Sequence, residues 1–376
     1  MEPPEPSRRR RRRWRWVALV VTLALIAAAA PALVIVVSCA MRPQTAQPTL
    51  DDSPDVRQAK AAIDGYRRPG AATYFTLPEW FIVYETEEYA AFIARRRPSA
   101  FPYFRAVTQY WTYYRRMCDA ACSAFPFDAG DHVMLAVIGT SFTVENALKG
   151  LYENSAGRLT EWMATNDTDE DRFAARTAAD YGRFMHTIPW YDFPFGRTLA
   201  ALWSQTPAWG AHPVRKWERR ISLSIEYGVK AAYGWLIRIA TKGAYGDEPE
   251  WVYLRAEHVP DRAFDDPRIV RKAALTDGSS LLAVKRYEPF TSAIAELERA
   301  GIHLHDVADN RRILVTALTT GEPPPLDVRG ARVLIASPLL AGDRRRIAVD
   351  VPVETLGELL DRLGRSGVRL EHVYDY

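Results

Sequence analysis

The chain has 376 residues, 48% of them hydrophobic and 25% charged, with 25 prolines, 21 glycines and three cysteines. This composition excludes a disordered or fibrous chain, an all-membrane protein and a disulfide scaffold, and the length exceeds what one small core needs. The formal charge of +3 sits at the start: residues 1–15 hold seven arginines and two glutamates, so the remainder carries −2 and has no basic stripe for nucleic acid.

In chain order, residues 1–15 read as a cytoplasmic arginine-rich segment and 16–38 as a transmembrane anchor. Trp16 to Val37 is a run of 22 residues without a charge, and about 20 suffice to cross a bilayer as helix. Arginines before the run and only Arg42 close behind it predict a single-pass protein of the cytoplasmic membrane, N-terminus inside and the bulk extracytoplasmic. Val36-Val37-Ser38-Cys39 also resembles a degenerate lipobox of a bacterial cell envelope protein, which makes Cys39 a candidate for lipidation and a lipoprotein anchor the alternative. Residues 39–54 read as a polar, proline-bearing linker.

Residues 55–262 read as an aromatic-rich helical bundle. A capping-box spacing at Thr76 and Glu79, with Pro78 just inside, predicts a helix start there. Further helices are expected over 103–124, 130–154, 169–186, 195–205 and 212–241, with prolines in the gaps. Cys118 and Cys122 lie four apart at the end of the 103–124 helix and are candidates for a disulfide, although regular helix gives that bond poor geometry. Near them, His132 has no second companion at ligand spacing, so no metal site is expected.

One internal match stands out within the bundle. Residues 141–152 align without gaps on 222–233, repeating serine, glutamate, lysine and tyrosine at four offsets. The pairs Glu145–Lys149 and Glu226–Lys230 each share a helix face, and a pseudo-twofold helix pair is the natural inference. They read either as salt bridges holding helices in register or as two carboxylates facing each other across the bundle. A di-iron centre would need Glu-x-x-His on two helices, and neither glutamate has a histidine three residues on. Gly139, Ala147, Gly150, Gly228 and Ala231 would permit close helix approach.

Residues 263–376 change period. Strand, amphipathic helix and strand follow one another over 281–307 and again over 347–374, with strands near 312–318 and 331–338 between them. The expected fold class is α+β in two domains: a transmembrane helix, the bundle, and a C-terminal duplicated split βαβ, ferredoxin-like sandwich. His303 and His305 share one strand face without an evident third ligand, so zinc is not expected there.

No nucleophile elbow, phosphate loop, dinucleotide fingerprint or zinc-protease motif occurs. The expectation is a non-catalytic envelope component for assembly, scaffolding or ligand sensing, without cofactor, meeting a protein partner or small ligand and no nucleic acid. The alternative is an envelope enzyme with its site around Glu145 and Glu226.

Overall fold

A computed structural model describes residues 8–42, 52–186, 189–244 and 250–376. Most of the expected linker, 43–51, lies outside the described residues. The helices are α1 (Arg8–Ala40), α2 (Pro54–Ala61), α3 (Ala72–Ile93), α4 (Tyr103–Ala121) and α5 (Ala129–Tyr152). The last runs through a π turn at Glu153–Gly157 into α6 (Arg158–Trp162), followed by α7 (Asp169–Met185), α8 (Phe195–Gln205) and α9 (Pro213–Ala244). The rest comprises β1 (Trp251–Glu257), β2 (Ile269–Ala274), β3 (Ser279–Lys285), α10 (Glu288–Arg299) and β4 (Leu304–Val307), then β5 (Arg312–Thr320), β6 (Arg332–Pro338), β7 (Arg344–Pro352), α11 (Leu356–Arg365) and β8 (Arg369–Val373).

Local chemistry accounts for most of the helix boundaries. α7 starts on a capping box in which the Thr168 hydroxyl accepts from the Asp171 N–H and the Asp171 carboxylate accepts from the Thr168 N–H. α3 departs from its expected start: it begins at Ala72, a turn before the Thr76 cap, and carries Pro78 inside. Tyr74 and Phe75 are buried in the core, and that burial offsets the hydrogen bond the proline removes. α1 includes an apolar stretch, Ala18–Ala40, long enough to cross a membrane. Its last three turns are not free, because Ala32, Ile35 and Cys39 join the core formed by α3, α4 and α5.

The C-terminal part holds two four-stranded antiparallel sheets, in the orders β2-β3-β1-β4 and β6-β7-β5-β8. Each is built from one β-β-β-α-β unit. In the first, β3 and β4 both pair antiparallel with β1, so the helix α10 connects two strands that run parallel with a third between them. β7, α11 and β8 repeat this around β5. The expected βαβ units thus lie in separate sheets with one helix each, where a ferredoxin-like sandwich would put two helices on a single sheet. The sheet also begins earlier than expected, because β1 precedes residue 263.

One core draws on both sheets and on α10 and α11, through residues such as Leu254, Leu282, Phe290, Val315, Val349 and Leu359. The other face of the second sheet supplies Leu314, Ile335, Ala348 and Tyr374 to the core of α3 and α4. At this seam Arg346, nearly fully buried, pairs with Glu88 of α3 (3.1 Å) and Glu371 of β8 (2.6 Å). Its guanidinium lies 4.0 Å from the ring centre of Tyr84. The bundle and the sheets therefore share packed apolar surface and a buried ion cluster. α2, expected with the bundle, sits on the first sheet, where Lys60 pairs with Asp306 (2.8 Å) and Asp309 (2.9 Å).

A charged cavity as the candidate functional site

The four residues singled out by the internal match come together. Lys149 Nζ lies 3.0 Å from Glu145 and 2.7 Å from Glu226; Lys230 Nζ lies 3.0 Å from Glu145 and 3.3 Å from Glu226. Each glutamate contacts both lysines and each lysine both glutamates, which closes a ring of alternating sign. Glutamate of one copy meets lysine of the other, the pattern that antiparallel helices produce, since parallel copies would set glutamate against glutamate. The duplicated helices are thus related by a local twofold axis normal to the plane holding both. The buried apolar positions repeat as well, Phe142 with Leu223.

The ring fixes the protonation of its members. Burial raises the Glu226 carboxyl, but Lys149 and Lys230 outweigh it and hold the group down at about 2. Glu145 is driven below the usual carboxylate range by the same balance. Both lysines are pushed up, against desolvation, by the two carboxylates. Two carboxylates so flanked do not share a proton: each is already neutralised by two ammonium groups.

Above the ring lies a cavity of about 80 Å³, enclosed by α3, α5, α7, α8 and α9. Glu85 of α3 borders it together with Tyr89, Tyr181 and the four ring residues. Burial pushes the Glu85 carboxyl up to about 8, with Lys149 pulling the other way. Glu85 is then a neutral acid at physiological pH, able to donate one hydrogen bond. Burial also holds Tyr89 and Tyr181 protonated, at about 12. The cavity is therefore lined by one raised carboxyl and four tyrosines, Tyr89, Tyr103, Tyr181 and Tyr227, together with the two cations and two anions of the ring. Sequence reasoning missed Glu85, because it is one of three glutamates in the stretch WFIVYETEEY and reaches the cavity beside the ring only through the fold.

A second cluster gathers the cysteines. The Sγ atoms of Cys39, Cys118 and Cys122 lie within 4.8 Å of one another and all three residues are buried. Cys39 Sγ is within bonding reach of both others, so the contacts run from the end of α1 to α4 and not only along α4. α1 continues unbroken through Cys39. His132 Nε2 is 3.8 Å from Cys122 Sγ, and its Nδ1 is 2.7 Å from the Tyr114 hydroxyl. Three sulfurs with an oriented imidazole nearby are a donor set for a soft cation such as zinc, and Cys39 equally suits a disulfide with Cys118 or Cys122. The sequence hid this gathering because Cys39 lies 79 residues from Cys118.

A third group holds the end of α5 to α6, α7 and α9. Arg215 pairs with Asp171 (2.8 Å) and Glu218 (2.9 Å), Lys216 with Glu170 (3.0 Å), Arg219 with Glu153 (2.7 Å) and Arg220 with Glu170 (2.8 Å). All four cations are buried. On the sheets, His305 pairs with Glu257 at 2.7 Å while His303 is largely exposed. The chain matches no protein-family model, no curated protein and no solved structure.

Proposed function

We propose that this protein is a membrane-anchored, non-catalytic, ligand-sensing component of the cell envelope, its bulk outside the cytoplasmic membrane, with a small polar ligand held in the charged cavity. The observation that carries the reading is Glu85. It lines the cavity with no ion-pair partner among the described residues, burial pushes its carboxyl up to about 8, and the four ring charges beside it pair with one another. A site built this way offers a carboxylic acid, phenols and two pairs of opposite charges, which suits a small dipolar or zwitterionic molecule. The ring itself supports recognition, because each of its four charges is committed to two partners.

Anchoring through α1 is supported by its apolar length and by the arginines in front of it. A lipid anchor on a cleaved Cys39 would remove Ala32 and Ile35 from the core they help form, which favours the uncut helix. The test is native mass spectrometry of the full-length protein extracted from its own membranes, followed by the denatured intact mass. A non-covalently bound small mass is expected, retained in Glu85→Gln and lost in Glu85→Leu. A chain free of any bound species, or a species held equally by Glu85→Leu, refutes the cavity reading; an intact mass starting at a diacylated Cys39 refutes the anchor.

A further inference from the structure

The helices that carry the ring on their inner faces leave their outer faces bare. On α9, Val214, Ile221, Ile225, Val229, Leu236 and Ile239 are all exposed, and their spacings of three, four and seven put them on one side of the helix. That stripe covers about 38 Å at 1.5 Å per residue. On α5 the exposed Val133, Val137, Leu148 and Leu151 form a matching stripe. The two stripes face the same way. A twofold axis normal to the plane of an antiparallel helix pair leaves that normal unchanged, so equivalent residues lie on one side of the pair. Leu148 and Val229, each preceding a ring lysine, are such equivalents and are 63% and 62% exposed.

What covers this face follows from α1. Between Trp16 and Ala27 the helix makes about 18 Å, well short of the roughly 30 Å of hydrocarbon in a bilayer. From Ala28 onward it is docked: Ala28, Ala32, Ile35 and Cys39 are buried. To span, α1 must therefore lie in the bilayer along its docked length, and the helices it docks against must lie there beside it. At the same level the opposite side of α1 leaves Leu33 and Val34 exposed, as a lipid-facing helix does. The far side of the bundle differs: α7 displays Arg172, Arg176, Asp180 and Arg183 to solvent.

We infer that the outer faces of α5 and α9 contact lipid acyl chains, so that the bundle is partly sunk in the leaflet where α1 ends, with the charged cavity behind this lipid-facing pair. The inference rests on the reading of α1 as a membrane span. A solvated α5–α9 pair would expose two aliphatic stripes to water, far more than a monomeric soluble protein ordinarily shows.

The test uses the full chain reconstituted in phospholipid nanodiscs, with a photoreactive benzophenone amino acid introduced singly at Leu23, Leu148, Val229 and Asp180. Phospholipid adducts are expected at Leu23, Leu148 and Val229 and none at Asp180. Lipid adducts at Leu23 without them at either Leu148 or Val229, including adducts to a second protein chain there, overturn the inference and leave the anchor standing. Absence of lipid adducts at Leu23 overturns both.

Discussion

α9 carries two ionic assemblies within five turns, and they are built on opposite plans. At its start, Arg215, Lys216, Arg219 and Arg220 are sealed from solvent and meet acids from the π turn, α6, α7 and α9 itself. Three turns on, the ring of Glu145, Lys149, Glu226 and Lys230 is half-buried and borders a cavity. The first assembly is the more deeply buried of the two, and only Asp171 and Arg219 among the residues named in it border a cavity, one of about 360 Å³ on its outer side. The second has redundant pairing, so that any one member can turn toward a guest while the others remain compensated. Charge density and redundant pairing are common to both; what differs is burial, since the four cations of the first are sealed while every member of the ring keeps part of its side chain exposed.

The largest effect that tests this contrast is removal of one buried cation. Arg215→Met should destabilise the protein by about 3–5 kcal/mol in chemical unfolding, because Asp171 and Glu218 are left buried with less compensation. A loss below about 1 kcal/mol would break the distinction. Next comes the packing that holds α5 in place. A Cβ at Gly139 would collide with the rings of Tyr110 and Trp111, whereas one at Gly228 meets open space. Gly139→Ala should therefore cost about 1–3 kcal/mol, and Gly228→Ala should be neutral or gain up to about 1 kcal/mol from helix propensity.

A smaller effect is pH-dependent. Because folding raises the Glu85 carboxyl from the ordinary 4.5 to about 8, the unfolded chain ionises first, and stability falls as pH rises through that interval. Glu85→Gln should leave Tm unchanged near pH 4 and raise it by roughly 3–6 °C at pH 8; equal shifts at both pH values would assign the effect to packing. The smallest effect belongs to the ring, where Lys149→Met should cost about 1 kcal/mol or less, since Lys230 still contacts both glutamates. Loss on the scale of Arg215→Met would make the ring a brace as well.

α4, α5, α7, α8 and α9 were legible to within about three residues, the last three because prolines and caps that act locally bound them, whereas α2 and the start of α3 were not. The ring was legible because a repeated Glu-Lys spacing survives in the chain as text. Glu85, the cysteine cluster and the Arg215 group were not, since each depends on which helices become neighbours. β1 was hidden for another reason: its Trp251 and Tyr253 continue the aromatic composition of the bundle, although the strand pairs with β3 and β4. The exposed stripes of α5 and α9 were not legible either, because one sequence does not reveal which side of an amphipathic helix lacks a partner.

The docking of α1 has a mechanical consequence. With Ile35 and Cys39 packed into the bundle and Arg42 paired to Asp119 at 2.7 Å, α1 is fixed directly to the body. Where α1 spans a bilayer, the sheets are carried at constant height and tilt, unable to swing outward as a stalked domain would. Lateral drift and rotation about the membrane normal are the remaining freedoms, and a partner would have to reach the sheets within a thin layer above the lipid.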